Sequence, residues 1–255
     1  MLFRSDQSLG ERLRVLPESL EIIRLANRFA ADPEKAIQAY NDDAFTLKGR
    51  LIGGDDLVGI LPWVSKNPLL CHRFSGEALA ALPVRMFRAR MAMPPASDDE
   101  WVLITMGMPA CGKTTLVKGG LGHGFHTIVD SPLSSFDTAR ELRQTARQSG
   151  RKVAFVYAHR PLKDAVRGML ERALPWREGR TVSLENMGTI LVKWIALFLE
   201  LARLNPADDG TTLDLVEVVN GKRQWFAGAQ AAQRIAAVRT ELTTTGESAL
   251  SQLIR

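Results

Sequence analysis

The sequence predicts an α/β fold: a three-layer core with a parallel sheet, a preceding helical region that contributes one strand, and a C-terminal helical extension. Three observations predict it. From residue 101 onward, short apolar runs of strand length alternate with amphipathic stretches, the grammar of buried parallel strands joined by helices. A glycine-bracketed loop ending in Lys-Thr sits between the first of those runs and the helix after it. Before residue 93 the texture is helical, apart from one short strand-like segment followed by two glycines.

The elements follow in order. Residues 19–30 repeat apolar positions at three and four, and Asp32-Pro33 stops the pattern. A second helix over 33–40 is compatible with Pro33 in its first turn. Arg50-Leu-Ile reads as a strand, running into Gly53-Gly54-Asp55-Asp56. Residues 57–93 return to helical texture around Pro62, Pro68 and Pro83, and 93–100, rich in Pro, Ser and acid, reads as a linker. The domain boundaries expected are therefore 1–98, 99–226 and 227–255. Strands follow at 101–106, 125–130, 152–157 and 213–219, with helices at 114–119, 136–148, 162–174 and 184–204. A turn is expected at Asn220-Gly221, and an Ala/Gln-rich helix or helix pair closes the chain.

Composition narrows the function classes. The 255 residues are 45% hydrophobic and 24% charged, with a net charge of +5. Disorder is excluded as a description of the chain, and a mild basic excess suits phosphate-bearing ligands, with nucleic acid left open. Cys71 and Cys111 make no disulfide framework, and no signal peptide or membrane span is legible, so a cytoplasmic protein without a membrane partner is expected.

Gly107-Met108-Pro109-Ala110-Cys111-Gly112-Lys113-Thr114 matches G-x-x-x-x-G-K-[ST] in full. The chemistry needs those residue types. Glycines let backbone N–H groups curl round a phosphate, Lys113 meets the β- and γ-phosphates, and Thr114 can ligate Mg²⁺. With Thr115, these residues are the expected nucleotide contacts, for ATP with Mg²⁺. Asp130 ends an apolar strand where a second Mg²⁺ carboxylate belongs, although Ser131-Pro132 also allows a turn or cap role. Arg160, Lys163, Arg167, Arg172, Arg177 and Arg180 form a basic run. Arg172 and Arg180 are the candidates for stabilising a phosphoryl-transfer transition state, with residues 175–180 as a lid. Arg160, Lys163 and Arg167 read as a solvated face. Asp55 and Asp56, on a glycine turn, could take a proton from a hydroxyl, or could simply cap the next helix. His159 reads as structural, and Cys111 as a small space-filling residue.

These residues resemble the zeta-toxin family of P-loop kinases over roughly 101–226. GMPACGKTT is similar to that family's phosphate loop. KVAFVYAHRPLKDAVRGMLERALPWREGRTVSLENMGTIL is similar to its third strand, arginine-bearing helix and lid, and LDLVEVVNGKRQW to its edge strand and turn. The resemblance implies roles for Arg172 in Leu170-Glu-Arg-Ala173 and for Arg180 in Gly179-Arg-Thr-Val182. It implies transfer of phosphate from ATP to a hydroxyl, with a UDP-activated amino sugar as substrate and an antitoxin protein as a partner. In the family the hydroxyl-activating Asp follows the phosphate loop, but the chain between Lys113 and Asp130 is too short for that strand and its helices. The similar stretch lies before the loop, so Asp55, with Asp56 second, takes the base position if the segment is permuted in sequence. That strand is then expected beside the phosphate-loop strand. Two other readings stay open: a non-catalytic nucleotide-binding module serving a protein or nucleic acid, and a polynucleotide or metabolite kinase.

Overall fold

The structure is a computed structural model. It describes residues 17–61, 71, 75, 78–130, 133, 135–173, 184–203, 210–219 and 221–253, and the side chains of these except 17, 18, 55, 173, 184–186, 188 and 242–253. The chain begins with α1 (Pro17–Ala31), α2 (Pro33–Asp42) and a 3₁₀ turn (Ala44–Thr46). β1 (Leu51–Gly53), α3 (Gly54–Gly59) and α4 (Leu82–Ala92) follow. The core then runs β2 (Trp101–Met106), α5 (Lys113–Lys118), a 3₁₀ turn (Leu121–Gly124), β3 (Thr127–Asp130), α6 (Phe136–Gln148), β4 (Lys152–His159) and α7 (Leu162–Ala173). It ends with α8 (Leu184–Arg203), β5 (Thr211–Val219), β6 (Lys222–Ala227) and α9 (Gly228–Leu253).

Local chemistry explains the element ends. The Asp32 carboxylate accepts the Lys35 N–H at 3.1 Å, and Pro33 opens α2. Ser135 caps α6. β2 and β4 are buried along almost their whole length, which explains their unbroken apolar runs.

The six strands form one sheet in the order β1-β3-β2-β4-β5-β6, parallel except for the last pair. One contiguous buried cluster runs from Ile22 to Val238, so the helices before residue 93 share their core with the sheet. No helix among the described residues is long and apolar enough to cross a membrane.

Three expectations change. First, β1 does enter the sheet in parallel, but beside β3 and not beside β2. The residue before it explains the seat: the Arg50 backbone C=O accepts the Ile128 N–H at 2.8 Å, and its guanidinium donates to the Gly122 and Phe125 carbonyls. Second, residues 93–100 connect α4 to β2 without regular structure, as expected of a linker, but they are tied to the core. Glu100, 5% exposed, accepts Arg151 Nε at 2.5 Å and the Ala96 N–H at 2.6 Å. Arg151 also donates to the Met93 carbonyl and the Ser149 hydroxyl, both at 3.0 Å, so the segment wraps a buried ion pair. Third, residues 222–227 form an antiparallel edge strand; the closing segment is a single helix, one of the two forms expected.

Candidate functional site

In a parallel sheet the C-terminal strand ends share one edge, and here that edge carries Gly53, the loop after Met106, Asp130 and His159. The loop 107–112 leaves β2 through Gly107 at φ +138, where any side chain would collide with the Ala158 carbonyl and come within 2.8 Å of Cys111 Sγ. Gly112, at φ +96, turns the chain into α5. Lys113 folds back over the loop and donates from Nζ to the carbonyls of Gly107 (3.0 Å) and Met108 (3.2 Å). Its ammonium lies 5.9 Å from the centroid of the Trp194 ring, which is fully buried beneath it. Burial pushes the Cys111 thiol up from its usual range, so it stays neutral and fills space, as expected.

Asp130 is the centre of the polar constellation. Thr105, its register neighbour on β2, donates to Oδ1 at 3.0 Å, and Thr114 on α5 donates to Oδ2 at 2.8 Å. The carboxylate is therefore oriented from both sides, with one oxygen beside the Thr114 hydroxyl. No group of three or more His, Cys, Asp or Glu that could hold a metal occurs among the described residues. One carboxylate with one hydroxyl still suits Mg²⁺, a hard cation that takes oxygen ligands, keeps several waters and shares substrate phosphates.

The β1 end completes this edge. Gly53 pairs in register with Asp130, so α3 starts level with that carboxylate. Asp55 is the second residue of α3, and its side chain lies outside the described residues. The half-buried Asp56 carboxylate folds back over Gly53, close to the Asp130 carbonyl. The Gly53 N–H donates to the Tyr40 hydroxyl at 3.1 Å. Burial, reinforced by Asp56, pushes the Tyr40 phenol well above its usual range. Lys118 stands one turn after Thr114 on α5 with its Nζ enclosed and without a hydrogen bond. Burial lowers its pKa against the pull of Asp56, Asp130 and Asp43.

Among the arginines, Arg172 lies in the last turn of α7, one turn after Gly168 on the same face. A side chain at Gly168 would meet the Ala110 methyl at 3.4 Å, so that face of α7 packs on the loop. Arg180 and the stretch 175–180 lie outside the described residues. Arg160 departs from the solvated face expected of it: its Nη1 donates to the Ala110 carbonyl at 3.3 Å, holding a residue at φ +60. Thr115 points outward and is exposed.

Sequence reasoning missed Thr105, Lys118, Trp194 and the anchoring role of Arg160. Only Lys118 carried a signal, as a cation one helical turn after Thr114. At the end of β4, His159 is buried beside Glu217, with Nε2 to Oε1 at 4.0 Å, and Arg234 on α9 donates to both Glu217 oxygens. Burial lowers the His159 pKa, against the pull of Glu217. No protein-family model matches this chain and no curated protein matches it, so the reading of the site rests on its own geometry and chemistry.

Proposed function

We propose that the chain is an ATP- and Mg²⁺-dependent phosphotransferase of the P-loop kinase type, acting on a hydroxyl of a small substrate. The observation that carries this reading is Asp130, held by Thr105 and Thr114 at the strand edge, directly beside a glycine-bracketed loop that ends in Lys113. In this reading the backbone N–H groups of 107–114 and the Lys113 ammonium take the β- and γ-phosphates. Lys113 exchanges its two loop carbonyls for phosphate oxygens when nucleotide enters. Thr114 and Asp130 hold Mg²⁺, which supplies charge neutralisation of the phosphates during transfer. Arg172 and Arg180 stabilise the charge that develops on the transferring group.

Asp55, at the same edge, accepts the acceptor's hydroxyl proton as its oxygen bonds to the γ-phosphorus. The bond from that phosphorus to the β–γ bridging oxygen breaks, and ADP leaves. The resemblance of the loop and arginine segments to zeta toxins supports a UDP-activated amino sugar as acceptor, and an antitoxin as protein partner.

The test is incubation with ATP and Mg²⁺ against UDP-sugars, nucleosides and polynucleotide 5′ ends, read by mass spectrometry. A phosphorylated UDP-amino sugar that is absent with Lys113→Ala and Asp55→Asn is the expected result. Tight ATP binding without turnover on any acceptor would make the chain a nucleotide-binding module. Unchanged ATP affinity and turnover in a folded Lys113→Ala variant would remove the loop assignment.

A further inference from the structure

Thr114 and Lys118 are one helical turn apart, so both face β3 from α5. Thr114 uses that face to reach Asp130. Lys118 uses it to bring an ammonium into a site where it makes no hydrogen bond and is shut off from solvent. Its Nζ sits 2.7 Å from the centroid of the Phe45 ring, with the carboxylates of Asp56, Asp130 and Asp43 within electrostatic reach. Asp56 folds over Gly53 at the β1 end, toward the Asp130 carbonyl. An enclosed ammonium with three unused donors is costly, and the Phe45 ring face together with the attraction of nearby carboxylates offsets that cost.

We propose that Lys118 is a positioning residue, the resident counter-cation of the Asp56 and Asp130 carboxylates, and that its charge makes divalent-cation binding conditional on nucleotide. The inference rests on the reading of Asp130 and Thr114 as the cation site. With the site empty, the ammonium offsets the repulsion between the two carboxylates at the strand edge. A divalent ion arriving alone meets a fixed positive charge and is held weakly. An ion arriving with a polyphosphate brings its own negative charge, which offsets that repulsion. Lys118 thereby favours entry of the metal together with nucleotide.

The experiment is titration of Mn²⁺ alone, and of Mn²⁺ with ADP, followed by electron paramagnetic resonance. Lys118→Met should tighten Mn²⁺ alone by about tenfold or more, the Coulomb term of one charge on a divalent ion several ångströms away even at the dielectric constant of water. Its effect with ADP present should be several times smaller, and Lys118→Arg should behave as wild type. Lys118→Gln should reproduce the Met result. A folded Lys118→Met or Lys118→Gln protein whose Mn²⁺ affinity is unchanged or weaker would overturn the proposal. So would failure of both to fold while Lys118→Arg folds, which would assign Lys118 to stability. Asp130→Asn separates the two layers. If it leaves Mn²⁺ binding intact, the cation-site reading itself fails; if it abolishes binding and Lys118 has no effect, only this inference fails.

Discussion

Replacing Thr105 with Val tests whether the orientation of Asp130, and not its mere presence, makes the cation site. Thr105 is 1% exposed, and its hydroxyl donates to Asp130 Oδ1 at 3.0 Å. Valine keeps the shape and removes that donor, while Thr114 still donates to the other carboxylate oxygen. Loss of an outer partner of a metal-binding carboxylate typically weakens metal affinity by about 10- to 100-fold. That corresponds to roughly 1.4–2.7 kcal/mol. The carboxylate keeps its Thr114 bond and its place at the strand edge, so stability should move by no more than about 1 kcal/mol. Isothermal titration with a non-hydrolysable ATP analogue, with and without Mg²⁺, reads the effect. The weakening should be confined to the Mg²⁺ titration and be reversed by Thr105→Ser. Equal losses in both titrations, or none with Mg²⁺, would refute the orientation argument.

Three further outcomes are expected. Arg172→Ala should lower kcat by about 10³ or more while nucleotide affinity changes little, checked by steady-state kinetics against direct binding; Arg180→Ala should behave alike. Arg151→Met should cost about 3–5 kcal/mol in urea unfolding, because Glu100 is left charged and buried, and adding Glu100→Leu should recover most of it. For His159 the folded pKa lies below the unfolded value of about 6.5, so the unfolded chain binds the extra proton. Stability is then full above that pH and falls as pH drops toward the folded pKa, with a slope of up to about 1.4 kcal/mol per unit. Thermal melts from pH 7.5 to 5.5 should show the fall in the native chain and a flatter profile in His159→Gln.

The loop was legible because it depends on backbone conformations that few residues adopt and on a Lys-Thr pair at fixed spacing. Gly107 and Gly112 both take positive φ where they were expected to let the chain curl. The β2 and β4 runs were legible because burial on both faces leaves unbroken apolar sequence. β6 was not, since Lys222–Ala227 lies at the sheet edge with almost every residue exposed, and an edge strand needs no apolar alternation. The seat of β1 was half legible. Its glycine-aspartate exit signalled the strand edge, but its neighbour was set by Arg50 reaching the Gly122 and Phe125 carbonyls, a contact that no local pattern announces. Charge misled twice: Glu100 read as part of an acidic linker and is buried with Arg151, and Arg160 read as part of a solvated face and holds the loop.

The pairing of Leu51 with Ile128 also fixes an order of events during synthesis. The partner strand leaves the ribosome about 75 residues after β1, a delay of roughly 4–15 s at common elongation rates. Until then Leu51 and Ile52, both buried in the finished sheet, have no strand to cover them. β2 and β3, by contrast, emerge close together and can pair at once. The nascent chain should thus complete the loop and Asp130 first and acquire Asp55 and Asp56 last, when the early segment docks on an existing edge. A ribosome-bound chain long enough to bring β3 clear of the exit tunnel is the earliest species in which β1 can reach Asp130.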